Sequence, residues 1–319
     1  MDNRKYIGMD VHQASISVAV RDADGKLLME CIIETKAAII LEFIPGLRGS
    51  SWITFNDRVD ARKLSDLLRA GLLTPVYHGE SGVRTLQELS RSYLTITKDL
   101  TRVMNRLKGL YRSWAIPCAG QKVYSPRHRS AWLEELSESG VRRRAERLYQ
   151  QLDALVELRR EVRRELLAES KRHPASELLR QIPRLGPIRV ALAIALIQTP
   201  HRFRTKRQLW AYCGLALQTR SSGECRYTGG QLQPSKRPPA LRGLNVNHNH
   251  DLKNLFKSAA TQASASPDPL GEFYKNLLAT GMKPSMARLT LARKLAAIVL
   301  KIWKKGERFD PAQLKRQAA

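Results

Sequence analysis

The residues best placed to do chemistry are acidic. In "NDRVDARKL" (56–64) Asp57 and Asp60 stand three apart. The pattern around them predicts an amphipathic helix, and two carboxylates at that spacing share a helix face. Asp10 closes the short apolar run "YIGMD" far up the chain. Carboxylates that a fold brings together can bind divalent metal ions, which activate a nucleophile and stabilise the leaving oxygen of a phosphodiester. Taken singly, each has a plain structural use, Asp57 as a helix N-cap among them. His248, His250 and Asp251 in "NVNHNHD" form a second polar group. Alternating histidines share a face only on a strand, so a hydrogen-bonded turn or RNA contact is the reading preferred to a metal site.

The elements that must carry Asp10, Asp57 and Asp60 lie in the first quarter of the chain. Lys5–Met9 and Ala14–Val20 read as strands, and Asp24-Gly25 as a hairpin turn before a third strand, Lys26–Ile33. "KAAIILEFIPGLRG" reads as a helix stopped at Pro45 and Gly46, and "SWITF" (51–55) as a short strand. Val59, Leu64, Leu67 and Leu68 then give helical periodicity that ends at Gly71 after Arg69. Strand–hairpin–strand, helix, strand, helix is the order of a ribonuclease-H-like α/β domain.

Charge divides the chain differently. The formal net charge is +26, yet residues 1–75 hold ten Lys/Arg and ten Asp/Glu. The remaining 45 basic and 19 acidic residues lie in 76–319. Such a field favours a polyanion, because neutralising phosphates releases counterions. No lipid-anchor motif, basic aromatic amphipathic helix or run of about twenty apolar residues points to a membrane. Nucleic acid is therefore the expected partner. Four scattered cysteines (Cys31, Cys118, Cys213, Cys225) form no CxxC pair, which suggests neither zinc nor disulfides but a reducing cytoplasm.

From Val83 to Ser170 the pattern is helical and basic. Val141, Ala145, Leu148, Leu152 and Leu155 keep heptad spacing until Arg159 breaks it, and Leu158, Val162 and Leu166 continue in a shifted phase. An antiparallel helix pair and a self-association arm both fit. Trp114, Trp132 and Trp210 fall in apolar patterns and read as core rather than base-stacking platforms. "QIPRLGPIRVALAIALI" (181–197) reads as helix, tight turn, helix. A glycine turn can expose backbone N–H groups at a helix start to a DNA phosphate, although a plain αα-hairpin has the same outline. The candidate nucleic-acid contacts are Arg184, Gly186 and Arg189 here, Arg204 and Lys206 beyond it, and Arg220, Lys236 and Arg237 in "QTRSSGECRYTGGQLQPSKRPPALRG" (218–243). That last segment is a functional loop or a small hairpin.

"YIGMDVHQASISVAV", "NDRVDARKLSDLLRAG", "QIPRLGPIRVALAIALI", "HRFRTKRQLWAYCGL" and "RSSGE", in this order, resemble the DEDD-type insertion-sequence transposases, bridge-RNA-guided recombinases related to the Piv DNA invertase. The resemblance implies α/β plus mostly α architecture: a RuvC/RNase-H-like N-terminal domain (here 1–75, shortened), a helical coiled-coil arm (76–175) and a helical C-terminal transposase domain (176–319). It implies Mg2+ at Asp10, Asp57 and Asp60, and a nucleophilic Ser222, with Ser221 as the rival. It further implies DNA and a structured noncoding guide RNA as partners, a homo-oligomer (dimer or tetramer), and a cytoplasmic, nucleoid-associated location. The chain departs from the pattern at one point. The family's second acid is a glutamate just after the strand that "SWITF" resembles, followed by a further strand–helix unit. Here "TF" runs straight into "NDRVD", and only 46 residues separate Asp10 from Asp57. The expectation is an internally shortened, catalytically impaired transposase that still binds nucleic acid.

Overall fold

The computed structural model describes residues 4–47, 50–56, 59–73, 81–220, 225–228, 231–234, 240–311 and 314; between 219 and 242 the description is of backbone alone. The chain divides into two compact units, Met1–His78 and Gly79–Ala319.

The first unit is a mixed sheet with one helix on each face. Its strands are β1 (Arg4–Val11), β2 (Ser15–Arg21), β3 (Leu27–Glu34) and β4 (Ser50–Asn56), in the spatial order β3-β2-β1-β4. The first three form an antiparallel meander, and β4 returns parallel to β1 through helix α1 (Ala37–Gly46). Alternation along β1 and β2 sends Ile7, Met9, Ile16, Val18 and Val20 to one face, where Ile40 and Phe43 of α1 cover them. Helix α2 (Ala61–Arg69) takes the other face and buries Ala61, Leu64 and Ser65. Gly8 is what lets it approach. A Cβ at that position would lie 2.1 Å from the Ala61 carbonyl oxygen and 2.5 Å from the Ser65 nitrogen. The hairpin turn is built as its sequence suggests: Asp22 Oδ1 accepts from Lys26 N at 2.8 Å, and Gly25 takes φ +91°.

The second unit is helical. Helices α3 (Arg84–Ser113) and α5 (Ser139–Lys171) run antiparallel, joined through short 3-10 turns and α4 (Arg129–Glu134). Each end of the pair serves its own core. At the tip, Leu100, Leu107 and Tyr111 meet Ala145, Leu148 and Leu152, and the Tyr111 and Tyr149 hydroxyls lie 3.1 Å apart. At the base, Leu86 and Leu166 join the core of the remaining helices. Between these clusters Leu158 is exposed, where the heptad spacing changes phase. Within the chain, α3 and α5 form the antiparallel pair that the heptad spacing allows.

That base core is formed with α6 (Pro174–Arg180), α7 (Pro187–Ile197), α8 (Lys206–Tyr212), α9 (His250–Ser264), α10 (Pro269–Ala279) and α11 (Pro284–Lys305). The polar segment after α8 is neither pure loop nor a single hairpin. Strand β5 (Leu217–Arg220) pairs antiparallel with β8 (Ala240–Leu244), and a β6–β7 hairpin (Cys225–Thr228, Gln231–Pro234) lies between them in sequence. Among the described residues no helix is long and apolar enough to cross a membrane.

Candidate functional site

Asp10 sits near the end of β1, flanked in register by Ser17 of β2 and Asn56 of β4. Its side chain is largely buried. Oδ2 lies 3.2 Å from His12 Nε2, and Oδ1 is buried with no hydrogen-bond partner among the described residues. His12, one residue past the end of β1, escaped the sequence reading because strand periodicity does not extend to it. The position beside Asp10 on the parallel strand is a neutral amide, Asn56.

Asp60 does not belong to the helix it introduces. It is the N-cap of α2, with extended ψ of 138°, and Oδ1 accepts from Arg62 N at 2.8 Å and Lys63 N at 3.3 Å. The expected pair of carboxylates on one helix face is therefore corrected. The helix starts at Ala61, so Asp57 precedes it, and the capping role falls to Asp60. Asp57 itself lies outside the described residues. Among those residues no three His, Cys, Asp or Glu side chains gather as a metal-binding group. Asp10 offers one unspent oxygen, while Asp60 has committed one to its helix. The described donors do not fit a two-magnesium set.

The helix–turn–helix at 174–197 forms as expected, and its arginines also bond within the unit, Arg184 while exposed and Arg189 while half-buried. Arg184 takes the left-handed φ of +66°, and its Nε donates to Asp268 Oδ2 at 2.8 Å. Asp268 in turn caps α10 by accepting from Leu270 N and Gly271 N. Burial pushes the Asp268 carboxyl up, but hydrogen bonds from Ser266, Arg184 and Gly271 outweigh it and hold the group below the usual carboxylate value. Arg189 Nη1 donates to Arg184 O at 3.0 Å and to Gln262 Oε1 at 2.8 Å, tying the turn to α9. Gly186 has open space where a Cβ would stand, so the start of α7 is unobstructed there. Arg204 and Lys206 are exposed at the start of α8, with Lys206 Nζ 5.6 Å from the Trp210 ring centroid. Arg220 is described only as a backbone partner of Ala240. Ser221, Ser222, Lys236 and Arg237 lie outside the described residues.

The "NVNHNHD" group is a polar turn. Asn245 Nδ2 donates to Ala211 O and Asn247 O, Asn249 caps α9, and Asp251 pairs with Lys98 at 3.0 Å. The two histidine rings do meet without a strand, their centroids 4.2 Å apart, because His248 packs over Gly214. Of the tryptophans, Trp132 stands edge-on to Tyr111 and Trp210 Nε1 donates to Arg293 O at 2.9 Å. Trp114 is 45% exposed and is not core; it sits one residue past the last packed turn of α3.

Residues 176–245 match the model of the transposase IS116/IS110/IS902 family. That stretch runs from α6 through the helix–turn–helix and α8 to the end of β8, with the serine pair inside it. A protein of Streptomyces clavuligerus, "Insertion element IS116 uncharacterized 44.8 kDa protein", is 26% identical over 172 residues. The similar region covers 54% of this chain and 40% of that protein. The first is a family of transposases, and the second is a protein of an insertion element, matched over less than half its length.

Proposed function

We propose that this chain is a DNA transposase of an insertion element, cutting and rejoining strands through Ser222. The carrying observation is the family match over 176–245, which contains the serine and the basic helices around it. In the proposed step the Ser222 oxygen bonds to a phosphorus as one P–O bond to DNA breaks, and the serine proton is balanced by the one taken up by the departing DNA oxygen, leaving a phosphoserine link and a free DNA hydroxyl. That link keeps the ester energy for rejoining to a second DNA end. The excess of basic residues in 76–319 supports binding to DNA and to a structured guide RNA. The proposal includes a dimer or tetramer acting in the cytoplasm.

Asp10, Asp57 and Asp60 are proposed as what is left of an Mg2+ site. Because the described donors do not complete such a site, no step is routed through the ion. The same observation favours a second reading: a nucleic-acid-binding remnant whose strand-transfer activity is lost. A RuvC-like metal nuclease without serine chemistry is the weaker third, since it gives the 176–245 match no role.

Covalent capture separates them. The full chain is incubated with its element's end DNA, flanking noncoding RNA and Mg2+, then denatured. A protein–DNA adduct that Ser222→Ala abolishes, with binding retained, supports the transposase. An adduct that persists in Ser222→Ala overturns the serine assignment. Retained binding without any adduct, where an intact relative forms one, establishes the remnant.

A further inference from the structure

From Leu100 to Leu133, through the outer half of α3 and the turns that follow it into α4, the chain holds seven Lys/Arg and not one Asp or Glu. Three of the seven are engaged. Arg102 pairs with Asp99 at 2.7 Å, Lys108 Nζ donates to Gly120 O at 2.8 Å, and Arg129 pairs with Asp153. Arg106, Arg112, Lys122 and Arg127 are exposed and have no bonded partner among the described residues. Opposite the buried Val103, Leu107 and Leu110, the outer face of α3 carries Arg102, Asn105, Gly109 and Arg112 in steps of three and four, with Arg106 beside them. The Lys108–Gly120 bond and the Tyr124 hydroxyl, which donates to Met104 O at 3.3 Å, hold the following turns against the same end of the helix. Lys122 is thereby set two residues from the carbonyl that Lys108 grips, and Arg112 one turn along α3 from Lys108. Trp114, which closes α3, is 45% exposed and has no ring contact among the described residues.

The C-terminus of a helix ordinarily repels an anion, because its last carbonyls point outward. Here they are taken up within the turn. Leu110 O accepts from Ser113 Oγ at 2.7 Å, Tyr111 O from Ile116 N at 3.0 Å, and Arg112 O from Ala115 N at 3.1 Å. Gly109 has open space where a Cβ would stand, so a phosphate can come close to α3 between Arg106 and Arg112. Unpartnered cations favour a polyanion, and an exposed indole beside them favours a flat base. A duplex supplies phosphates but keeps its base faces stacked. An extended single strand is gripped by a groove with a row of rings, whereas Tyr111, Tyr124, Trp132 and Tyr149 of this tip are buried or half-buried. The loop of a folded RNA answers both demands, since its turning backbone crowds phosphates around bases that have lost their stacking partners. The exposed Glu134, Glu135 and Glu138, next in sequence, bound the basic stretch on one side.

We propose that the tip of this helical arm holds an unpaired loop of a folded RNA, with one base stacked on Trp114 and the loop phosphates on Arg106, Arg112, Lys122 and Arg127. The inference rests on the chain acting on nucleic acid, and it gives the arm a task beyond packing α3 against α5. Stacking on a single ring tolerates any base, so the tip selects a loop by its shape rather than its sequence.

The test uses the full chain and a short RNA hairpin whose adenine-rich loop carries one 5-iodouridine. Fluorescence anisotropy gives the affinity, and irradiation followed by mass spectrometry locates the cross-link. The expected cross-link is to the peptide that contains Trp114. Trp114→Ala should weaken hairpin binding about tenfold, and Trp114→Phe should keep most of the affinity. Neither should move the thermal midpoint, because the indole has no ring contact to lose. Arg112→Gln combined with Lys122→Gln should flatten the slope of log affinity against log salt by roughly 1.5. A blunt duplex of the same stem should bind equally well to wild type and Trp114→Ala. A cross-link confined to other peptides, or full affinity in Trp114→Ala, would overturn the proposal. So would a duplex that loses as much as the hairpin, or a linear DNA strand of the loop sequence that binds as tightly as the hairpin. The Ser222 adduct is read separately. Loop binding at the tip without an adduct removes the transposase reading alone, and an adduct without loop binding removes the tip assignment alone.

Discussion

The two units solve the same physical problem to different degrees. In the second, α11 buries Leu291, Leu295, Val299 and Ile302 completely, and helices close around them from several sides. In the first, one four-stranded sheet carries one helix per face, and large apolar side chains stay in water: Ile32 at 73%, Trp52 and Phe55 each at 59%. Polar groups do not follow that division: among the described residues, buried atoms without a partner occur in both units, Asp10 Oδ1 and Ser51 Oγ in the first, Gln198 Oε1, Arg293 Nη2 and both His248 ring nitrogens among those of the second. Arg184, Asp268 and Arg189 form a connected set within the second. A buried acceptor left unpaired costs about 1–3 kcal/mol. The second unit has a closed apolar core, while the first has a core open at its edges. Groups left unsatisfied by packing are the ones available for a ligand, and their number at Asp10 is too small for two ions.

Breaking the first unit should need only one side chain at Gly8. Gly8→Val would drive its side chain into the backbone of Ala61 and Ser65, and backbone has little room to yield. We expect a loss of about 3 kcal/mol or more, read as faster hydrogen exchange in β1 and β2 with exchange in α7 and α11 unchanged. Gly186→Ala is the matched control in the second unit, where space is open and φ is −64°; a shift beyond about 0.5 kcal/mol there would contradict the open geometry. Smaller is the effect of Asp60→Ala, which removes the α2 cap and should cost about 1 kcal/mol. Asp60→Asn should recover most of it. If Asn fails as badly as Ala, the carboxylate is serving something besides the cap.

The second unit should show its own pH sensitivity. Asp268 is held below the ordinary carboxylate value in the folded state, so its contribution is present above the unfolded value of about 4. It is lost as pH falls through the lower folded value. Acid unfolding of wild type and Arg184→Ala, followed by α-helical circular dichroism, checks this. The variant should lose part of the acid-dependent stability, and parallel curves would show that Arg184 contributes nothing to holding the Asp268 carboxylate.

What could be read from sequence was mostly local. The order of strands and helices in the first unit follows from alternation and from the turn at Gly25, and the helix–turn–helix follows from "PRLGP". The pairing of α3 with α5 was open because heptad spacing serves intrachain and interchain partners alike. Asp57 and Asp60 were placed on one face because periodicity cannot tell a cap from a first turn; a capping aspartate is itself a helix-start signal. The bonds of Arg184 to Asp268 and of Arg189 to Gln262 were not legible because those partners lie 84 and 73 residues away in sequence. No local pattern encodes such a pairing. A cavity beside Arg293 was invisible for the same reason, being assembled from α8, α10, α11 and Pro311 and Leu314 beyond them.

The smallest expected effect falls on β4. The strand "SSWITFN" carries no charge and no proline, and its outer edge has no partner strand among the described residues. Natural sheets blunt such edges with charges, prolines or a covering element, because unpaired N–H and C=O groups recruit other chains. Trp52 and Phe55 project from opposite faces of it, since they are three apart. Each is more than half exposed, so replacing either with lysine removes little buried area. Trp52→Lys and Phe55→Lys should therefore shift the unfolding midpoint by no more than about 0.5 kcal/mol in equivalent stability, while raising the protein concentration at which light scattering first increases. A loss above 1 kcal/mol in either variant would mean that the ring is covered in solution. The contrast between a closed second unit and an open first one would then fail at this strand.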